Sequence, residues 1–264
     1  MSDGPSVLCV LVNYRTDDLA LGFAQDLWAL NGSSRLQLTM VDNTDLPNRD
    51  RFRESVAAAF PGALYCRPAG NLGYFGGAAY GLERFLASRR MPDWVMVSNV
   101  DLKVADKTFF EHLVEFSKDH DVGIVGPSIW SAKSVRDLNP RYVHRPGARK
   151  IRRLKYINRF RLILNVYEAL GFGKAAVKYA YSRGSAILRG GRERLQALKP
   201  IRIYAPQGSC ILFSKLYFER GGSLLYPCFL FGEELFVAET ALKLSVSGYY
   251  HPQMNLVLHD HAST

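Results

Sequence analysis

The run Asn71-Leu72-Gly73-Tyr74-Phe75-Gly76-Gly77 is rich in glycine and stands directly before a stretch with helical patterning. Glycine permits positive φ and close backbone approach, so bare N–H groups at such a helix start can face a phosphate or a sugar. The partial positive charge of the helix N-terminus adds to that attraction. The run is not a P-loop, because no Gly-Lys-Ser/Thr ending follows, and it is not a dinucleotide fingerprint, because it does not follow the first strand. A tight turn needs glycine too, so the loop alone decides nothing.

Three further groups carry chemistry. Asp101 follows the apolar run Trp94-Val95-Met96-Val97 through Ser98-Asn99-Val100, which puts a carboxylate at a strand end. There it can hold Mg²⁺ or Mn²⁺, hard cations that take oxygen ligands and bridge to phosphates. A loop or helix-capping aspartate is the competing reading, and strand ends commonly carry Asp and Asn. Glu233 and Glu234 follow Phe231-Gly232 and an apolar run from Cys228. A carboxylate against apolar walls gains proton affinity and can take a proton from a hydroxyl. Two acids in a first helical turn are also ordinary. His259 and His261 close a late strand; spaced by one residue, they point to the same side and can serve as metal ligands.

Alternating elements must position these residues. Residues 7–12 are a continuous apolar run, as in a strand buried on both faces. Further strands are expected at 36–41, 63–67, 94–98, 122–126 and 205–213, with a last one through 249–258. Helices are expected at 19–30, 49–60, 78–89, 107–120 and 235–244. The fold class is therefore α/β, a Rossmann-like, mostly parallel twisted sheet flanked by helices. Ligands in such sheets bind beyond the carboxyl ends of the strands. Asn13, Asp42, Asn43, Asn99 and Asp101 all fall there.

The 264 residues suit one α/β domain, and 48% hydrophobic content can build its core. No apolar run is long enough to span a bilayer, and the first residues show no secretory pattern. Cys9, Cys66, Cys210 and Cys228 form no C-x-x-C pair and read as thiols of a reducing cytoplasm. The net charge of +10 is concentrated: residues 141–196 hold 15 Lys or Arg against Glu168 and Glu193. Interleaved apolar and basic residues from 151 to 167 suggest a basic amphipathic helix. We expect a nucleotide-binding half at 1–126, a basic helical insertion at 127–204, and a catalytic half at 205–264.

Taken in order, Val10-Leu11-Val12-Asn13-Tyr14, Val41-Asp42-Asn43, the glycine run, Asn99-Val100-Asp101, Gly208-Ser209-Cys210-Ile211-Leu212 and Phe231-Gly232-Glu233-Glu234 resemble the family 2 glycosyltransferases of GT-A fold. The rhamnosyltransferase-like branch that builds bacterial polysaccharides is most similar. The resemblance implies that Asn13 and Asp42, with Val12 and Tyr14 beside them, contact the donor's nucleobase and ribose. It implies that Asn71, Gly73, Gly77 and Asn99 line the donor pocket. Asp101 and His259 would hold a divalent cation, with His261 as the fallback. Asn99 stands where some members have the first Asp of the metal motif. Glu234 matches the catalytic base, with Glu233 its neighbour, although the family usually has Asp there. An inverting transfer from a dTDP-sugar or UDP-sugar follows, rhamnose first, to a glycan or a lipid-diphosphate-linked acceptor. The basic stretch at 141–196 would then touch an anionic membrane from the cytoplasmic side, or be a solvated insertion.

Other classes compete. A nucleotidyltransferase wants a basic glycine-rich loop after the first strand, which Asn13-Tyr14-Arg15-Thr16 does not supply. A nucleic-acid-binding protein is suggested by the basic stretch but supported by no recognition motif. An inactive donor-binding relative is suggested by Asn99 and Glu234.

Overall fold

A computed structural model describes residues 5–30, 35–117, 121–131, 133–147, 149, 199–229 and 232–259. The chain divides into a unit of residues 1–143 and 197–264 and a second unit of residues 144–196. The basic amphipathic helix expected at 151–167 lies outside the described residues, as do Phe231 and His261.

The first unit is built on β1 (Ser6–Asn13), α1 (Asp17–Trp28), β2 (Arg35–Asp42), α2 (Asp50–Ala59), β3 (Leu64–Cys66), α3 (Gly73–Leu86), β4 (Trp94–Asn99), β5 (Leu102–Val104), α4 (Phe109–Ser117), β6 (Val122–Ser131) and β7 (Arg136–Asp137). It continues with β8 (Ile201–Ile203), β9 (Cys210–Ser214), α5 (Lys215–Glu219), α6 (Glu233–Lys243) and β10 (Ser247–Leu258). The strands form one sheet in the order β3-β2-β1-β4-β9-β6-β10-β5, with β7 on β6 and β8 on β10. Along that path only β9 and β5 run against the rest.

β1 shows why its sequence is apolar without alternation. Val7, Cys9 and Leu11 pack into a core with α1, α2 and α4. Leu8, Val10 and Val12 pack into a second core with α3, α5 and α6. Both faces are covered, so every position must be apolar. α3 approaches the sheet unusually closely. A Cβ at Gly81 would sit 2.5 Å from Val41 Cγ2, and one at Gly77 would sit 2.7 Å from Asn43 Nδ2.

Three expectations need correction. The strand expected at 205–213 begins only at Cys210, as β9, entered through a turn at Gln207, Gly208 and Ser209; a separate short strand, β8, precedes it at Ile201–Ile203. Pro206 has no N–H for a ladder, and the Gln207 N–H instead donates to Asn139 Oδ1 at 3.1 Å. The boundary expected at 126 falls inside β6, which runs on to Ser131. There Asp137 accepts from Ser128 Oγ at 2.6 Å and from Tyr250 Oη at 2.7 Å, tying 127–139 to the sheet. The late strand is longer than expected and irregular. Between His251 and Asn255, β10 advances four residues while β6 advances one, from Pro127 to Ser128.

Candidate active site

The carboxyl ends of β1 and β2 are closed by their own neighbours. Asn13 is buried, and its Nδ2 donates to Asp17 Oδ1 at 2.8 Å. Its Oδ1 accepts from the Thr16 N–H at 3.1 Å and from Thr16 Oγ1 at 3.0 Å. This is a side-chain-held turn into α1. Asp42 is fully buried and accepts from Arg49 Nε at 2.7 Å, Tyr65 Oη at 2.7 Å and the Thr44 N–H at 3.1 Å. Burial alone would push its carboxyl up. The bonds from Arg49, Thr44 and Tyr65 outweigh burial and hold it below the usual carboxylate range. Arg49 also pairs with Asp17. Val12 is buried, whereas Tyr14 is 41% exposed beside an Arg15–Asp45 pair.

The glycine run is held from beneath. Asn43 Nδ2 donates to the Gly73 carbonyl at 2.8 Å, and the Gly73 N–H donates to Asn71 Oδ1 at 2.9 Å. Gly73 has φ +72, and any Cβ there would collide with the Phe229 carbonyl oxygen. Glycine is required at Gly73 by conformation and at Gly77 by contact with Asn43. Packing thus accounts for both, whatever ligand the loop also meets.

The sheet rim brings the remaining candidates together. The His259 N–H donates to the Asp101 carbonyl at 2.8 Å, and β5 pairs with β10 next to that bond. Asp101 is raised by burial, with the nearby His259 pulling the other way. Its Oδ1 is buried and has no hydrogen-bond partner. A buried acceptor without a donor is costly and awaits one, or a cation. This orphaned oxygen beside an exposed histidine fits a divalent cation. Among the described residues no three His, Cys, Asp or Glu side chains cluster, so any cation here would take part of its coordination from a ligand.

On the other side of the rim, Gly232 has φ +102 and opens α6. Glu233, the first residue of α6, is 8% exposed. Glu234 is half-buried and lies along Gly208, where a Cβ would come 3.3 Å from its Oε1. Tyr74 stands between the two sides. Burial pushes its phenol up, and Cys210, Asp101, Glu233 and Glu234 add to the effect. Tyr226 is pushed up to about 12 by burial, the Cys228 bond and the same two glutamates. No sequence pattern assigns a role to Tyr74, Tyr226, Gln207 or Ser209. The glycine run contains Tyr74 and the stretch before β9 contains Ser209, and neither motif singles its residue out.

A separate cleft of about 830 Å³ between the first turns of α1 and α2 is lined by Arg15, Asp18, Arg49, Arg51 and Ser55, among others. None of the candidate residues lines it, so the chemistry and this hollow do not coincide.

Six of the ten strands run in one direction and β5, β7, β8 and β9 run against them, with acids at the carboxyl rim. The chain has the GT-A fold. A mannosyltransferase from Pyrobaculum calidifontis, solved with GDP-Man and Mn²⁺, superposes with a TM-score of 0.56 at 13% identity, over 97% of this chain and 57% of that one. GalNAc-T7, solved with UDP, GalNAc and Mn²⁺, gives 0.56 at 11% identity over 98% of this chain and 44% of that one. The chain therefore spans about half the length of these GT-A structures. No protein-family model and no curated sequence matches it.

Proposed function

We propose that the protein is a glycosyltransferase that uses a nucleoside-diphosphate sugar and a divalent cation. The observation that carries this reading is that Asp101, Glu233 and Glu234 all act on the buried Tyr74, with His259 bonded to Asp101, in a sheet of GT-A fold. Asp101 and His259 are the residues that would hold the cation. When bound there, it offsets charge growing on the departing diphosphate.

Glu234 takes the role of general base. Its carboxylate is half-buried and open along Gly208, the residue with no side chain to cover it. Glu233 is nearly buried and already has a partner, so it supports α6 rather than moving a proton. Glu234 removes the acceptor hydroxyl proton as that oxygen attacks the anomeric carbon opposite the leaving group. The product is inverted. Val12, Asn13, Tyr14 and Asp42 at the ends of β1 and β2, with Asn71, Gly73, Gly77 and Asn99, bound the donor side. Asn13 and Asp42 act there chiefly by shaping the walls, because their polar atoms are already engaged. The family resemblance favours a dTDP-sugar, rhamnose first, and then a UDP-sugar. It favours a glycan or lipid-diphosphate acceptor in polysaccharide synthesis, reached from the cytoplasmic face of a membrane. Among the described residues no helix is long and apolar enough to cross one.

Isothermal calorimetry against UDP, dTDP and GDP, with and without Mn²⁺, tests the reading and sorts the donor class. One nucleoside diphosphate should bind, and more tightly with Mn²⁺. With its sugar nucleotide, Glu234→Gln should retain binding and lose about 10²–10⁴-fold in turnover. No binding to any nucleotide would end the proposal.

A further inference from the structure

The Tyr74 hydroxyl lies 3.1 Å from the Val97 carbonyl of β4 and 3.3 Å from the Ser209 carbonyl. The same Ser209 carbonyl accepts from the Asn99 N–H at 2.9 Å and lies 3.2 Å from Ser98 Oγ. This oxygen thus takes the Asn99 N–H and stands within reach of two hydroxyls, which also have the Val97 and Asn99 carbonyls at 3.1 and 2.9 Å. Ser209 is tied down at its other atoms as well. Its N–H donates to Gln207 Oε1 at 2.7 Å, and its Oγ accepts from Gln207 Nε2 at 2.8 Å. Asn139 in turn holds the Gln207 N–H and donates to the Pro127 carbonyl at 2.8 Å.

This knot has two ends. Through Asn99 it reaches the turn that carries Asp101. Through Gly208 it reaches the surface along which Glu234 lies. Only the Tyr74 phenol joins the knot from the glycine run. Its ring is edge-on to Phe75 with centroids 5.4 Å apart, and Phe75 in turn meets Phe213 and Tyr226 edge-on, each at 6.4 Å. The ring is therefore fixed by packing, and its hydroxyl is a fixed point rather than a mobile one.

We infer that Tyr74 is a positioning residue: its hydroxyl, by holding Ser209 to β4, sets the separation between the Asp101 end of the site and the Glu234 end. The inference rests on the transferase reading above. Tyr74 need not touch substrate. It keeps the turn 207–209, and with it the base, in register with the rim where the leaving group sits.

Tyr74→Phe in the full chain tests this, because it removes one oxygen and keeps the ring. Amide hydrogen exchange is the first readout and needs no substrate. Exchange at Asn99 and Ser209 should quicken about fivefold or more, with α1 and β2 unchanged. Turnover is the second readout, measured as nucleoside diphosphate released when water replaces the acceptor. In that reaction the bond from the anomeric carbon to the diphosphate breaks, water oxygen bonds to the carbon, and Glu234 takes the proton. With the sugar nucleotide selected by calorimetry, kcat should fall about tenfold while KM and Mn²⁺-dependent affinity stay within about twofold. A purely structural tyrosine would move the melting temperature and leave that split unseen. Unchanged exchange at Asn99 and Ser209, or quickened exchange with unchanged kcat, would overturn the inference. If the wild-type chain binds no nucleoside diphosphate, the transferase reading fails by itself, and the exchange result still decides whether the hydroxyl holds the knot.

Discussion

The backbone N–H of His259 donates to the carbonyl of Asp101, so the end of β10 is joined to the turn between β4 and β5 without using either side chain. Both side chains can be altered while the rim stays closed. Asp101→Ala removes a buried oxygen that has no partner, so stability should hold or rise by about 1 kcal/mol. Mn²⁺-dependent nucleotide affinity should fall at least about tenfold in Asp101→Ala and less in His259→Ala. Thermal melts run beside calorimetry check both halves. Loss of stability without loss of binding would show that Asp101 is merely structural.

The Arg49–Asp42 pair is a stability element. Asp42 is fully buried, and Arg49 is largely so. Arg49→Ala leaves a buried carboxylate without its cation, which costs about 3–5 kcal/mol at neutral pH. Because Asp42 is held below its unfolded value, its contribution is complete above the unfolded carboxylate range and is lost as pH falls through the folded one. Urea unfolding of wild type and variant at pH 7 and below pH 4 should show the gap shrinking in acid.

Gly77→Ala should destabilise by about 1–3 kcal/mol, since the new carbon meets Asn43 Nδ2 and Val12 Cγ1 at 2.7 and 3.1 Å. Asn43 carries the Gly73 carbonyl, so nucleotide affinity should weaken along with the melting temperature. An alanine variant that melts and binds as wild type does would mean α3 can retreat freely.

His251 on β10 is buried, faces Phe116 and His112 of α4, and has an Nδ1 without a partner. Burial lowers it to about 4, with His112 adding to the shift. His112 itself is held by Thr108 Oγ1 at 3.0 Å and Asp106 at 3.3 Å. The folded chain keeps His251 neutral where the unfolded chain takes a proton. Stability should thus fall as pH drops from about 6.5 to about 4, by up to about 3 kcal/mol. The pH slope of the unfolding free energy reads this, and His251→Leu should flatten it.

The strands that position the site are legible where both faces are buried, as in β1 and β4, because a short unbroken apolar run suits a strand covered from both sides. α3 is legible as a helix, but it begins at Gly73, inside the run read as a loop before it, and ends at Leu86. Asn13 is readable as a strand-end polar residue, but its side chain is engaged by Thr16 and Asp17, a local turn that Asn-x-x-Thr spacing already permits. The reversal of β9 is not legible, since an apolar five-residue strand carries no mark of direction. Nor is the role of Tyr74, whose partners lie 23 and 135 residues away. A carbonyl contributes nothing to a sequence motif, so a knot built on the Ser209 oxygen leaves no pattern to read.

The irregularity in β10 acts as a vernier. Three surplus residues relative to β6 separate Tyr249 from Met254 and Leu256, which pack into the same core from the two sides of the irregularity. An odd surplus reverses which side the following residues present. Lengthening or shortening the strand at 252–254 would therefore change which residue arrives opposite Asp101 while leaving Tyr249 and Tyr250 in register with Val125 and Gly126. The scaffold can thus revise its rim chemistry by indel only where the core around Met254 adjusts with it.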